Sequence, residues 1–134
     1  MKTRWKLVLI LALLACAAAT IVVFHPRLYP DVEWLIPPNI PSGPSTGYVG
    51  QTLTYTIGGA SSSLGFSVQY YVDWGDGNHS ESDLVDSGSS ITASHTWHIS
   101  GLYCIRARVV STGSGVSSNW SPCREVTISE ADSK

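Results

Sequence analysis

The chain has 134 residues and a formal net charge of −2, with eight Lys and Arg against ten Asp and Glu. That length holds one ordinary domain with some chain to spare. From residue 25 onward five basic residues stand against ten acids, 5 − 10 = −5 by count, so no basic stripe is available for phosphates, which argues against a nucleic-acid partner and against attraction to an anionic lipid surface.

Residues 1–6 form a basic tail with Lys2, Arg4 and Lys6. Residues 7–24, LVLILALLACAAATIVVF, carry no charge and no proline. As a helix these eighteen residues span roughly 27 Å, near the thickness of a bilayer's hydrocarbon core. Three basic residues before the run, against Arg27 after it, set the N-terminus in the cytoplasm. The reading is one N-terminal transmembrane helix acting as an uncleaved signal anchor, because Thr20 to Phe24 keep the run apolar beyond the point where a signal peptide stops. Two alternatives stay open. Small residues around Ala15-Cys16-Ala17 suit signal-peptidase cleavage, and Leu13-Leu14-Ala15-Cys16 resembles a lipobox that would lipidate Cys16. All three export the rest of the chain, so the expected location is the cell membrane with the domain outside.

Residues 25–40 read as a proline-rich stalk. Pro26, Pro30, Pro37, Pro38, Pro41 and Pro44, spread between His25 and Pro44, forbid helix and favour extended, semi-rigid chain. Tyr29 and Trp34 within it belong either to the membrane interface or to the base of the domain. The globular part is expected over 41–130, with 131–134 as a tail.

Within it Leu53, Tyr55 and Ile57 alternate with threonines, a strand. Gly58 to Ser63 reads as a loop. Phe66, Val68, Tyr70, Val72 and Trp74 alternate with polar residues, the period of two of a strand with one face on a core. Gly75-Asp76-Gly77 then allows a tight reversal. Glu81 to Ser90 is polar and reads as an irregular edge. Ile91, Ala93 and His95 form the inward set of a short strand. In Leu102 to Ser111, Tyr103, Ile105, Ala107 and Val109 point inward, with Cys104, Arg106 and Arg108 outward. A Gly/Ser loop leads to Trp120 and a last strand with Val126 and Ile128 inward. Short strands at this spacing, with no helical period outside 7–24, predict an all-β, two-sheet sandwich. Trp74 and Tyr103 are expected in its core.

Taken in order, Pro41-Ser42-Gly43-Pro44-Ser45-Thr46-Gly47, Tyr71-Val72-Asp73-Trp74-Gly75-Asp76-Gly77, Ala93-Ser94-His95-Thr96-Trp97, Gly101-Leu102-Tyr103 and Ser118-Asn119-Trp120-Ser121 resemble the immunoglobulin-like PKD (polycystic kidney disease) domain of archaeal and bacterial surface proteins. The resemblance covers 41–129. It implies a seven-stranded sandwich serving as an extracellular spacer or contact module, not an enzyme. Where that family commonly carries an Asp-Pro-Asp-Gly-Asp loop, this chain has Ser61-Ser62-Ser63-Leu64-Gly65. A calcium site built on that loop has lost its carboxylates.

Asp73 and Asp76 are the best-placed acids for a hard cation, but two carboxylates fall short of the six to eight oxygens that Ca²⁺ takes. Capping of turn amides is the preferred role. His95 and His98 flank Trp97 without a third zinc ligand, and His95 is expected half-buried with its ring bonded to nearby backbone. No nucleophile motif is evident, so neither an enzyme nor a cofactor is expected. Tyr71, Trp97 and Trp120 are the candidate binding aromatics, for a protein or envelope partner or, alternatively, for sugar rings. Asn78-His79-Ser80 and Asn119-Trp120-Ser121 are glycosylation sequons at Asn78 and Asn119. Cys104 and Cys123, exported as a pair, are expected to form a disulfide. Regular pairing about a hairpin tip at Ser114 to Val116 argues against it, since it sets Cys104 opposite residue 127, about 13 Å from Cys123; a bulge at Pro122 would be needed to close that gap.

Overall fold

The computed structural model describes residues 32–132. The basic tail, the apolar run 7–24, Cys16 and residues 25–31 of the stalk lie outside the described residues. Among the described residues no helix is long and apolar enough to cross a membrane.

Nine strands form the domain, in chain order β1 (Leu35–Ile36), β2 (Thr46–Tyr48), β3 (Thr52–Ile57), β4 (Ser61–Ser62), β5 (Val68–Asp73), β6 (His79–Val85), β7 (Ile91–Thr96), β8 (Gly101–Ser111) and β9 (Arg124–Ser129). One sheet runs β2-β9-β8-β5-β6; facing it are the β3-β7 pair and the short β1-β4 pair. Every pairing is antiparallel except β2 with β9. The period of two places the core. Leu53, Tyr55 and Ile57 of β3 meet Val68, Tyr70 and Val72 of β5, Ile105, Ala107 and Val109 of β8, and Val126 and Ile128 of β9, all buried. Burying this apolar face is the main favourable term for a sandwich of this size.

An aromatic cluster closes one end of the core. Trp74 and Trp97 are both fully buried and meet edge to face at 5.9 Å. Tyr55 packs on both rings, and its hydroxyl donates to the Pro44 carbonyl at 2.8 Å. Tyr103 completes the cluster at 5.7 Å from Trp97, half-buried, its hydroxyl on the Ile99 carbonyl. Trp97 is therefore a core residue and not the exposed binding aromatic expected from sequence. It continues the inward set of Ile91, Ala93 and His95 by one more step.

Other departures concern the ends of elements. The domain begins before Pro41: Leu35↔Ser62 and Ile36↔Ser61 pair, and the Asn39 amide donates to the Gly58 carbonyl at 2.8 Å. Residues 33–40 are thus laid along the sandwich instead of forming free stalk. Polyproline-like chain carries unpaired backbone groups, and here a sheet edge takes them. The same pairing makes Ser61–Ser62 a strand where a loop was expected. Residues 79–85 form an edge strand, and the irregularity expected there is a register shift in which Ser82 and Asp83 face the single Tyr70 of β5. Phe66 lies before β5 and is exposed, because the chain still runs in the Ser63–Ser67 loop there.

Candidate functional site

The outer face of the five-stranded sheet carries the most distinctive surface chemistry. The alternation that buries Tyr70 and Val72 turns Tyr71 and Asp73 outward. On β8 it turns out Cys104, Arg106 and Arg108. Antiparallel register then sets Tyr71 opposite Arg108 and Asp73 opposite Arg106. The Arg106 guanidinium holds Asp73 Oδ2 through Nε and Nη2, each at 3.1 Å.

Trp120 comes from the irregular segment between β8 and β9 and lies across this face. The Arg106 and Arg108 guanidinium carbons sit 4.7 and 4.8 Å from its ring centre, and Arg108 also reaches the Tyr71 ring at 5.7 Å. Such stacks gain about 0.5–1 kcal/mol at exposed sites. Tyr71, Asp73, Asn78, His79, Arg108 and Trp120 line an open cleft of about 430 Å³. Asp73 is committed to Arg106, whereas Arg108 forms no ion pair among the described residues and its Nε is buried without a hydrogen-bond partner.

The disulfide holds this arrangement. Cys104 and Cys123 are bonded, with Cα atoms 5.4 Å apart, inside the usual range for a bridge. Glu125, not residue 127, stands opposite Cys104. The hairpin turns earlier than expected, with the Ser111 amide donating to Val116 and Val110 bridging Ser117. The stretch before Cys123 does bulge, since the six residues between Ser117 and Arg124 face only the four between Ile105 and Val110.

The acids of the β5–β6 turn are occupied by local partners. Asp73 Oδ1 accepts the Gly75 amide at 3.0 Å, and Asp76 Oδ1 accepts that of Asn78 at 3.0 Å. His95 differs from expectation, for its Nε2 meets the Asp76 carboxylate at 2.7 Å instead of backbone. Its ring stacks on Trp74 at 4.9 Å and 8° and stands edge-on to Trp97. Burial alone would raise the Asp76 pKa; hydrogen bonds from His95 and Asn78, with the His95 charge, outweigh it and hold the carboxyl below 3.8. Ser80, the hydroxyl beside this pair, accepts Trp74 Nε1 at 2.9 Å. Among the described residues no three His, Cys, Asp or Glu side chains converge as metal ligands; His98 is exposed, outside β7. Asn78 lies on the exposed turn with its side-chain amide on Asp76, and Asn119 is exposed beside Trp120.

The sequence therefore named Tyr71 and Trp120 but joined them to Trp97, which the fold removes. It read Arg106 and Arg108 as outward without linking them to the aromatics. The pairing of β5 with β8, and the attachment of the 118–123 segment to β8, bring these groups together.

The fold has solved counterparts. The PKD domain of an M14-like peptidase from a Thermoplasmatales archaeon is 35% identical, covering 72% of this chain and 100% of that one, with a TM-score of 0.62. This chain belongs to the PKD domain family. A CARDB domain from Pyrococcus furiosus, solved in complex with di-metal ions, shares the fold at 18% identity and a TM-score of 0.55, covering 77% of this chain and 99% of that one. No family model and no curated protein matches the chain. In this PKD domain the acidic turn, the buried Trp74 and the Tyr103 cluster serve the core, while the Tyr71–Arg108–Trp120 face is left to solvent.

Proposed function

We propose that the chain is a membrane-anchored, extracellular interaction module, without catalytic activity or cofactor, whose PKD domain binds a protein partner through the Tyr71–Arg108–Trp120 face. The carrying observation is one arginine without an acidic partner, framed by two aromatic rings on an open sheet face. Trp, Tyr and Arg dominate the energetics of protein interfaces, because they combine rigid apolar area with directional polar groups. An incoming carboxylate would complete Arg108, which no acid among the described residues pairs. The uncharged run 7–24, with its basic N-terminal flank, supports retention in the membrane with the domain outside.

Sugar binding is the second reading, since Tyr71 and Trp120 border a cleft that also holds Asp73, Asn78 and His79. It is less well supported because two guanidinium groups already lie over the indole, and a sugar ring would have to displace them.

The test is affinity capture from the envelope fraction with wild type, Arg108→Ala and Trp120→Ala, beside a polysaccharide panel. A protein retained by wild type and lost with both variants is the expected outcome. Retention of a polysaccharide that Trp120→Ala alone abolishes would replace it with the sugar reading. The anchor is checked separately by alkaline carbonate washing of membranes. The full-length chain should remain; a mature N-terminus at Cys16 bearing lipid, or at Ala18 in the soluble fraction, would refute it.

A further inference from the structure

The end of the sandwich where the chain enters presents an apolar surface that the described residues leave uncovered. Three segments meet there. The Trp34 amide donates to the Ser63 hydroxyl and the Trp34 carbonyl accepts the Ser63 amide, both at 3.0 Å. Glu33, only 7% exposed, accepts the hydroxyls of Ser62 and Ser114, which ties the entering segment to both neighbouring loops. The Phe66 ring lies against Gly113, and the Thr112 amide donates to the Ser67 carbonyl.

These contacts leave Trp34 61%, Ile36 45%, Leu64 39%, Phe66 41% and Val116 41% exposed. Leu35 between the first two packs on the core, so strand alternation itself turns Trp34 and Ile36 outward. Among the described residues charge is missing from the same surface. Residues 32–40, 58–67 and 112–121 contain one ionisable side chain, Glu33, and its carboxylate is spent inward on the two serines. Asp86, on the β6–β7 loop that meets β4, lies on the flank. The opposite end holds Asp73, Asp76, His95 and Arg106, and the chain leaves the sheet there after Ser129.

We propose that this end of the domain docks into the headgroup layer of the bilayer, with Trp34 and Phe66 as its interfacial anchors. The proposal rests on the reading of residues 7–24 as a membrane anchor. Trp34 follows Phe24 by ten residues, a reach of at most about 35 Å even when fully extended. An apolar surface tethered that closely meets the bilayer at a high effective concentration. Tryptophan favours the headgroup level, where the indole has both an apolar and a wet side. Without a basic patch the surface suits uncharged or zwitterionic headgroups rather than anionic ones. Docking also fixes the direction of the domain: the Tyr71–Arg108–Trp120 face stands along the side of the sandwich and the charged end points away from the lipid.

The experiment uses the full chain in phosphatidylcholine vesicles with ordinary or brominated acyl chains. The tryptophan fluorescence of Trp34→Phe, subtracted from wild type, isolates Trp34 from Trp5, Trp74, Trp97 and Trp120. Most of the Trp34 signal should be lost in brominated vesicles and be shielded from aqueous iodide. The pair Leu64→Asp with Phe66→Asp should reverse both effects while circular dichroism stays unchanged. Iodide quenching without bromine quenching overturns the proposal. Shielding from both means that a protein, such as a second copy of the chain, covers the surface, and overturns it equally. Carbonate washing of the same vesicles separates the two readings. A chain that stays bound with Trp34 open to iodide defeats docking alone, and a chain that washes off defeats the anchor and the docking that rests on it.

Discussion

Replacing Trp97 with Ala should unfold most of what the aromatic cluster holds. Trp97 is fully buried, with His95, Tyr103, Trp74 and Tyr55 at ring-centre distances of 4.7, 5.7, 5.9 and 6.4 Å. Large aromatic truncations in cores cost about 3–5 kcal/mol. Edge-to-face pairs add roughly 0.5–1.5 kcal/mol each beyond area, though neighbouring terms do not sum. The Trp74 carbonyl also loses its indole donor at 3.3 Å. A loss of about 4–5 kcal/mol is expected, against a total of about 5–15 for a domain. At roughly 4–8 °C per kcal/mol for about 100 residues, Tm should fall by at least about 15 °C. Trp120→Ala is the control: at 36% exposed under two guanidiniums it should cost about 1–2 kcal/mol. Urea unfolding of residues 33–134, followed by circular dichroism, reads both. If Trp97→Ala shifts the midpoint no further than Trp120→Ala, the assignment of Trp97 to the core is wrong.

Changing both Cys104 and Cys123 to Ser opens a loop of sequence separation 19 and should cost about 3 kcal/mol by loss of chain constraint, read in the same urea titration. Asp76→Asn should flatten the acid limb of stability. The folded Asp76 carboxyl is held below 3.8, so its contribution is present above that value and disappears as pH falls through the lower folded pKa; an unchanged acid limb in the variant would refute the linkage. Gly75→Ala should destabilise by about 1–3 kcal/mol, because φ is +80° and a Cβ would sit 2.8 Å from the Cys104 carbonyl oxygen. Gly77→Ala, at φ +90° in open space, should cost less, and equal melting shifts would show that the contact with β8 is not felt.

Much of the sandwich is legible because a strand with one wet face writes its period into the chain. Tyr55, Val72, Ile105 and Val126 fall on the inner face as alternation requires. Alternation carries no information where elements are too short to repeat. β1 and β4 have two residues each, so no period exists to be read, and the prolines around them spoke only of extended chain. Extended chain is also what an edge partner needs, and the distinction lies in whether a neighbouring edge is free, which is a tertiary fact. Trp97 was different. Its signal was present as the next odd position after Ile91, Ala93 and His95, but it stands one residue beyond β7, where the period is easily abandoned too soon.

The candidate site was legible only in pieces because its geometry depends on one strand register and on attachments outside any ladder. Local pattern shows that Tyr71 and Arg108 each point outward, but a one-residue slip between β5 and β8 would turn either strand over. Buried Tyr70 and Val72 on one strand, with Ala107 and Val109 on the other, forbid that slip, so the core fixes which arginine meets which aromatic. Trp120 needs a second constraint, since no ladder holds it. The Ser121 amide donates to the Ala107 carbonyl at 2.7 Å and the Ser121 hydroxyl accepts the Ala107 amide at 3.0 Å. Two residues later Cys123 is bonded to Cys104. These attachments, just after the indole, set it over the outward arginines of the same strand that Ala107 and Cys104 belong to. The disulfide is thus part of the surface as well as of the fold.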